Sequence, residues 1–308
     1  MRILVTGAAG FIGSHVCEAL AKHEVLGVDN FNDYYDPELK RQNAAVLKKQ
    51  GITIKKIDIR DKRFLSLTKK FTPDVIVHLA AMAGVRYSIE KPLLYMNVNV
   101  DGTQHVLEAA KHTQAYVVFG SSSSVYGTRT NPPFSELDRI EQQISPYAAS
   151  KAAGELLCRT HYLTTKLPVT CLRFFTVYGP RGRPDMAPRK FMEAILANKE
   201  ITQYGDGTSA RDYTYVEDIV YGVVQAVLRP NGFSVYNLGN DTPHELHHLI
   251  TTIERVTQKK AKITHVEVPL GDVPLTCADI RLAQKELLYQ PQTPLSVGLR
   301  KQYEWLTQ

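Results

Sequence analysis

The feature that most constrains this fold is a strict alternation of short β-branched runs with longer amphipathic stretches through the first half of the chain. The runs have the length of strands, and the stretches between them have the apolar spacing of helices. They lie at residues 2–6, 24–29, 52–57, 74–78, 115–120 and 169–173. Strands that alternate with helices form βαβ units, so we predict an α/β fold with a doubly wound parallel sheet and helices on both faces.

Beyond residue 175 the alternation decays into a segment rich in Gly, Pro and Arg, with the sequence YGPRGRPD at residues 178–185. Helical patterns return at residues 187–198, 216–228, 245–257 and 295–306. We predict a dinucleotide-binding domain over residues 1–175, to which residues 210–237 return. Residues 176–308 are predicted to form a smaller mixed α/β lobe that binds the substrate.

A glycine-rich turn follows the first predicted strand directly and opens the first predicted helix. It contains Gly7, Gly10, Phe11, Ile12 and Gly13. Backbone without Cβ atoms lets a pyrophosphate approach closely, and free amides at a helix start favour its charge. The spacing GxxGxxG differs from the GxGxxG fingerprint, and such glycines alone also fit plain turn geometry. In this position they predict a Rossmann-type dinucleotide site.

Asp29 ends the second predicted strand, where a carboxylate can accept hydrogen bonds from the adenosine ribose. Its charge would repel a 2′-phosphate, and the neighbouring Asn30 adds no cation that would reverse this preference. We therefore predict NAD rather than NADP as the cofactor. Without the glycine turn, a simple turn aspartate would explain Asp29 equally well.

Two further segments carry the residue types that hydride chemistry needs. A serine run, residues 121–124, follows the fifth predicted strand, and Tyr147 and Lys151 share one face of a helix that starts near Pro146. A phenol has a pKa near ~10, which a neighbouring ammonium and a cationic nicotinamide would lower toward neutrality. A tyrosine and a lysine at this spacing are common on helix surfaces, so the pair alone does not indicate a catalytic site. Its combination with the serine run and the glycine turn favours catalysis.

Four segments then carry a resemblance to a known family: DNFNDYYD at residues 29–36, MAGVRYS at 82–88, RFFTVYGP at 173–180 and GRPDMA at 182–187. With the Tyr147–Lys151 pair, they resemble the extended short-chain dehydrogenase/reductases of the NAD-dependent epimerase/dehydratase family, and among these the UDP-glucuronate 4-epimerases. The resemblance covers essentially the whole chain. It implies an isomerase that inverts C4 of UDP-glucuronate to give UDP-galacturonate, through a transient 4-keto sugar and without decarboxylation.

The resemblance also implies residue roles. Tyr147 would be the base, Lys151 would bind the nicotinamide ribose and lower the tyrosine pKa, and Ser122 would hydrogen bond the reacting hydroxyl. The implied contacts with NAD come also from Asp58, Ile59, Leu79, Ala80 and Ala81. The implied contacts with the UDP-sugar include Arg86, the phosphate-region residues Asn99 and Arg211, and the ribose-binding Asp272.

The carboxylate of a uronate would sit beta to the transient ketone, so its loss must be suppressed. Related decarboxylases carry an acidic residue just before the Val-Tyr-Gly triplet, where this chain has Ser123 and Ser124. Neutral hydroxyls hold a carboxylate without repelling it, so we predict that the carboxyl group is retained. Thr176 and Arg183 are the candidates that bind it, although arginines in this segment could equally pair structural acids or the pyrophosphate.

Three other functions stay open on the sequence. A UDP-glucose/UDP-galactose 4-epimerase differs only in the sugar it accepts, and a UDP-glucuronate decarboxylase differs only in the fate of the carboxylate. An NAD-sensing regulator without catalysis would share the glycine turn, but the Tyr147, Lys151 and serine set argues against it.

Composition limits the partners. The net charge of +6 is spread over the chain, and the densest basic cluster, near Lys259, lacks interleaved aromatics, so we expect no nucleic-acid partner. No apolar run is long enough to span a membrane. The four cysteines form no CxxC pair, which favours reduced thiols and a cytoplasmic location. His244, His247 and His248 lack acidic or cysteine partners, so no metal is expected.

The resemblance implies a homodimer formed through helices at residues 92–112 and 146–166.

Overall fold

The computed structural model describes residues 1–268 and 273–308. Its first half contains β1 (Arg2–Thr6), α1 (Phe11–Ala19), β2 (Glu24–Asp29), α2 (Pro37–Lys49), β3 (Thr53–Lys56), α3 (Lys62–Phe71), β4 (Val75–His78), α4 (Val85–Glu90), α5 (Pro92–Tyr95), α6 (Gly102–Thr113), β5 (Tyr116–Ser122), α7 (Pro146–Thr165) and β6 (Val169–Phe174). A π-helical turn, Met96–Asp101, joins α5 to α6, and a 3₁₀ turn, Ser123–Tyr126, follows β5.

The second half contains β7 (Thr176–Tyr178), α8 (Ala187–Leu196), β8 (Glu200–Tyr204), β9 (Ala210–Tyr215), α9 (Val216–Leu228), β10 (Phe233–Leu238), β11 (Pro243–Glu245), α10 (Leu246–Thr257), β12 (Lys262–Val266), α11 (Arg281–Leu287) and α12 (Leu295–Leu306). Several bounds, such as those of β1, β2, α9 and α12, are those that the sequence predicts.

Seven parallel strands form the main sheet, in the order β10-β6-β5-β4-β1-β2-β3. The order reverses between β1 and β4, and ligands of such sheets bind at the carboxyl ends of the strands at that point. Smaller sheets, β11-β9-β7 and β12-β8, lie beside it. The predicted doubly wound α/β fold with a smaller mixed lobe is therefore confirmed.

Residues 210–237 contribute to both sheets. Strand β9 pairs with β7 and β11 in the small sheet, whereas α9 packs on α1 and β10 pairs with β6 in the main sheet. The division of the chain into two domains stays a prediction. No helix within residues 1–268 and 273–308 has both the length and the apolar character needed to cross a membrane.

The helix that carries Tyr147 and Lys151 starts at a strong local signal. The Ser145 hydroxyl accepts a hydrogen bond from the Ala148 amide at 3.1 Å, and Pro146 occupies the first turn, where its missing N–H costs nothing. Strand β5, which leads to the serine run, is buried over its whole length between β4 and β6. These two rigid elements fix the relative positions of the polar residues described next.

Candidate active site

A cavity of about 420 Å³ lies over the carboxyl ends of the central strands. Every residue predicted to bind the cofactor lines it: Gly7, Gly10, Phe11, Ile12, Gly13, Asp29, Asn30, Asp58, Ile59, Leu79, Ala80, Ala81, Tyr147 and Lys151. The serines 122–124, Thr176 and Arg183 line the same cavity. Residues that lie far apart in the sequence therefore share one space, which is large enough for a sizeable ligand.

The glycine turn is as tight as the spacing suggests. Gly7 has a φ of +70°, and a Cβ built on Gly13 would come within 2.1 Å of the Gly7 carbonyl oxygen. Helix α1 begins at Phe11 after Gly10, with no side-chain cap on its first amides. Those uncapped amides and the helix dipole suit a pyrophosphate, so the donor set of this turn fits a dinucleotide.

Asp29, the last residue of β2, is buried beside the glycine turn. Its carboxylate accepts hydrogen bonds from the amides of Ala9 at 3.1 Å and Phe31 at 2.8 Å. Burial raises the pKa of Asp29 despite these bonds and the charge of Lys40. Lys40 on α2 was not predicted from the sequence as a site residue; it lines the cavity and donates to the Asn32 carbonyl at 2.9 Å.

Asn30 and Asp58 are tied to each other. The Asn30 amide donates to the Asp58 carboxylate at 2.9 Å, and Arg60 donates to the same carboxylate through its Nε at 2.8 Å. The hydrogen bonds of Arg60 hold the pKa of Asp58 well below its usual range. Asp58 is therefore an ionised acceptor at neutral pH, although two protein donors already occupy it.

Tyr147 lies between aromatic packing and polar groups. Its ring meets that of Tyr95 edge to face, with centroids 6.1 Å apart. Burial raises the pKa of Tyr147 above its ordinary value, while a hydrogen bond with Ser122 and the charge of Arg183 oppose that rise. Lys151 is not one of the groups that shift this pKa. That Lys151, together with a bound nicotinamide, lowers the pKa of Tyr147 stays a prediction.

Lys151 is almost completely buried. Its ammonium donates to the Gly120 carbonyl at 2.7 Å and lies 5.1 Å from the centroid of the Phe119 ring. Burial lowers the pKa of Lys151 to about 8, although the charge of Glu155 opposes the shift. The ammonium thus loses its proton more easily than an exposed lysine does, and it is anchored to the end of β5.

A buried ion pair lies beneath the carboxyl end of β5. Glu155, one helical turn after Lys151, accepts from Arg173 at 2.9 and 2.8 Å and from the Ser121 hydroxyl at 2.6 Å. Ser121 lies between Gly120, which holds Lys151, and Ser122. The network therefore connects α7 to β5 and β6 directly beneath the catalytic candidates.

Two arginines of the YGPRGRPD segment have different surroundings. Arg181 points away and forms two hydrogen bonds of 2.9 Å with Glu18 on α1, so it serves as a structural ion pair. Arg183 lines the cavity and pairs with Asp185, its Nε donating at 3.0 Å. The sequence left both partners open. The structure assigns a structural acid to each arginine and leaves only Arg183 facing the cavity.

A second cavity of about 160 Å³ continues from the first and shares Ser123, Ser124 and Thr176 with it. Arg86 and Arg211 line this extension. Arg86 donates to the Tyr204 hydroxyl at 2.8 Å, and Arg211 donates to the Ala210 carbonyl at 2.9 Å. Two cations thus flank a pocket that opens from the serine run. The predicted Asp272 lies outside the described residues.

Asn99, for which the resemblance implies a phosphate-region contact, is held by protein groups. Its side-chain amide is buried behind the cavity, where it accepts from the Met82 amide at 2.8 Å and donates to the Met82 carbonyl at 2.9 Å and the Ser150 hydroxyl at 2.8 Å. The amide has no free edge for a phosphate. The π-helical turn directs Asn99 toward α7, and its contact with the phosphate region stays a prediction.

Several cavity-lining residues were not predicted as site residues, notably Tyr34, Tyr35, Met82 and Gly84. All four lie inside the DNFNDYYD and MAGVRYS segments that carried the resemblance, and Gly84 has a φ of +106°. The density of aromatic residues in these segments was the available signal.

Comparison with known proteins agrees with this geometry. The model of the "NAD dependent epimerase/dehydratase family" matches residues 3–239. The chain is 46% identical to UDP-glucuronate 4-epimerase 4 of Arabidopsis thaliana, over 98% of this chain and 74% of the relative.

Solved structures are similar over the whole chain as well. The structure of UDP-glucuronic acid 4-epimerase from Bacillus cereus in complex with UDP-glucuronic acid and NAD has a TM-score of 0.94 at 37% identity and covers 100% of this chain and 99% of that one. UDP-glucose 4-epimerase from Thermotoga maritima, solved with UDP-glucose, has a TM-score of 0.91 at 29% identity and covers 100% and 99%.

Proposed function

The chain belongs to the NAD dependent epimerase/dehydratase family, and we infer from this that it is an NAD-dependent UDP-glucuronate 4-epimerase. It interconverts UDP-glucuronate and UDP-galacturonate by inverting C4. The observation that carries this conclusion is one cavity in which a tyrosine and a lysine face a serine run and an arginine. Homologous enzymes named for this reaction match the chain over nearly its whole length.

Bound NAD supplies a reversible hydride acceptor for the sugar carbon. The glycine turn and the start of α1 would hold its pyrophosphate, Asp29 would accept from its adenosine ribose, and Lys151 would bind its nicotinamide ribose. The remaining chemistry belongs to side chains of this protein.

Tyr147 moves the proton at the sugar O4. As a phenolate it accepts the hydroxyl proton when C4 is oxidised to the ketone, and it returns that proton when C4 is reduced from the opposite face. Ser122 hydrogen bonds Tyr147 and opposes the rise in its pKa, and the positive charge of Arg183 acts in the same direction. With these two groups present, Tyr147 loses its proton more easily than it would with burial alone.

Retention of the sugar carboxylate follows from the groups around the far end of the cavity. Ser123, Ser124 and Thr176 offer hydroxyl donors, and Arg183 offers a guanidinium, so a carboxylate would be held by hydrogen bonds and charge. Hydrogen bonds and positive charge stabilise the ionised carboxylate relative to neutral carbon dioxide, which opposes loss of the carboxylate from the β-keto intermediate. Two arginines line the adjoining extension, and Arg86 and Arg211 would bind the UDP phosphates there.

Product analysis by NMR tests this function. The purified protein is mixed with UDP-glucuronate, with NAD but no NADH, and we expect UDP-galacturonate to appear, while Tyr147→Phe should show almost no turnover. A UDP-pentose as the main product would identify a decarboxylase instead. Turnover of UDP-glucose at the same efficiency would favour the neutral-sugar epimerase, and no turnover of either sugar despite NAD binding would favour the regulator.

We also propose that the chain forms a homodimer through α5, α6 and α7. Apolar side chains are exposed on α5 and α7: Leu93 is 82% exposed, Leu156 64% and Leu163 55%. Large exposed apolar groups on neighbouring helices are typical of protein interfaces. Light scattering should give a dimer for the wild type and a monomer for Leu156→Lys, with Leu137→Lys, at an exposed loop position, as a matched control.

We place the protein in the cytoplasm. All four cysteines are free and buried, which fits a reducing compartment in which thiols need no pairing. Fractionation of cells that express a tagged chain tests this location.

A further inference from the structure

Arg183 is held in place by a cluster of residues that have no role in the reaction proposed above. Its Nε donates to Asp185 at 3.0 Å and its Nη2 donates to the second oxygen of the same carboxylate. Nη2 also lies 3.4 Å from the Ala83 carbonyl oxygen. The carboxylate thus grips one edge of the guanidinium, in the two-point geometry that fixes both position and orientation.

Tyr34 completes this cluster from another part of the chain. Its hydroxyl donates to the Asp185 carboxylate at 3.1 Å, and the Arg183 guanidinium lies 5.3 Å from the centroid of its ring. A Cβ on Gly84 would come within 2.8 Å of the Tyr34 hydroxyl and 3.3 Å of Arg183 Nη2. Because Gly84 has no Cβ, the loops around residues 34, 84 and 185 can approach one another closely here.

The other edge of the guanidinium is left for a ligand. Nη1 carries two N–H donors, and neither has a hydrogen-bond partner within residues 1–268 and 273–308. Arg183 lines the cavity, and its side chain is only 17% exposed. A buried guanidinium with one paired edge and one unpaired edge suits a second carboxylate on the unpaired side.

We propose that Asp185 is a positioning residue that holds Arg183 by one edge, keeps its other edge toward the cavity, and so determines the preference for a uronate over a neutral hexose. This inference rests on the proposed function, since it concerns the sugar that the same cavity binds. The hydroxymethyl group of a neutral hexose carries no charge that would gain from the oriented guanidinium. Asp185 therefore affects the binding of a uronate much more than that of UDP-glucose.

Asp185→Asn tests this role with almost no change of shape. An amide has one acceptor oxygen, so it can accept from either Nε or Nη2, and its NH₂ group faces the other donor. Arg183 also loses its counter-charge in a mostly buried position, and it should turn toward solvent. Asp33→Asn is the matched control, because it removes the same charge from an exposed position on the loop that carries Tyr34.

The measurement is the equilibrium affinity of the NAD-loaded enzyme for UDP-glucuronate and for UDP-glucose, by calorimetry. We expect Asp185→Asn to weaken UDP-glucuronate binding about tenfold or more, while UDP-glucose binding changes less than about twofold. Asp33→Asn should change neither affinity. In an Arg183→Leu background Asp185→Asn should have no further effect, because Asp185 acts through Arg183.

Four outcomes would overturn the assignment. Tighter binding of UDP-glucuronate to Asp185→Asn would mean that Asp185 competes with the ligand carboxylate. An equal loss for both sugars, or a loss that persists in the Arg183→Leu background, would mean a general structural role, and unchanged affinities would mean no role. Binding requires no turnover, so these results stand apart from the product analysis that tests the epimerase itself.

Discussion

Replacement of the buried Lys151 by methionine should make the protein more stable while it removes activity. The residue is 5% exposed, and burial lowers the pKa of its ammonium to about 8 from an ordinary value of 10.5. A lowered pKa means that folding disfavours the charged form. At neutral pH, where the amine is charged both folded and unfolded, the folded protein therefore carries the whole cost of that burial.

The size of the effect follows from the pKa difference. A fall from 10.5 to about 8 corresponds to about 3 kcal/mol of destabilisation at pH 7. Methionine has a similar length and no charge, so this cost disappears in the variant. The hydrogen bond to the Gly120 carbonyl is lost as well, at a cost of about 1 kcal/mol. We expect Lys151→Met to raise the free energy of unfolding at pH 7 by about 2 kcal/mol.

Urea unfolding of dinucleotide-free protein at several pH values measures this, since loss of ligand binding then cannot contribute. Between pH 8 and 10.5 the unfolded wild type binds more protons at this site than the folded one, so its stability rises with pH in that window. Lys151→Met lacks the titrating group, and its advantage should shrink and then reverse as the pH rises. Other titrating groups are common to both proteins and cancel in the difference.

Two results would refute the reasoning. A variant less stable than the wild type at pH 7 would mean that the contacts of the ammonium outweigh its desolvation. A stability difference that stays constant from pH 7 to 10.5 would mean that the lysine keeps its ordinary pKa in the fold.

Further predictions concern the support of the site. Glu155→Gln leaves Arg173 buried without its counter-charge and should cost about 3–5 kcal/mol in urea unfolding. The double replacement of both residues by Met should recover most of that loss, and an unchanged midpoint for the single variant would contradict the buried pair. Gly13→Ala places a Cβ 2.1 Å from the Gly7 oxygen and should abolish NAD binding in a fluorescence titration, where a wild-type affinity would count against the turn. Arg183→Leu should raise the KM for UDP-glucuronate at least about tenfold with NAD affinity unchanged, and equal turnover would remove Arg183 from the carboxylate site.

The parts of the site that the sequence predicts are those set by neighbours along the chain. The glycine turn and Asp29 belong to one βαβ unit, and Tyr147 and Lys151 are one helical turn apart, so local periodicity places them. All of them line the cavity. Asn99 shows the limit of such reasoning, since its direction depends on a π-helical turn and on contacts with Met82 and Ser150.

The sequence by itself determined the order of strands and helices, the glycine turn and the helical face shared by Tyr147 and Lys151, because these depend on spacing along the chain. Tertiary structure alone decided that Arg181 pairs with Glu18 while Arg183 faces the cavity. It also decided that burial raises the pKa of Tyr147 and lowers that of Lys151. Desolvation and charge interactions depend on every group nearby in space, and most of those groups are far away in sequence.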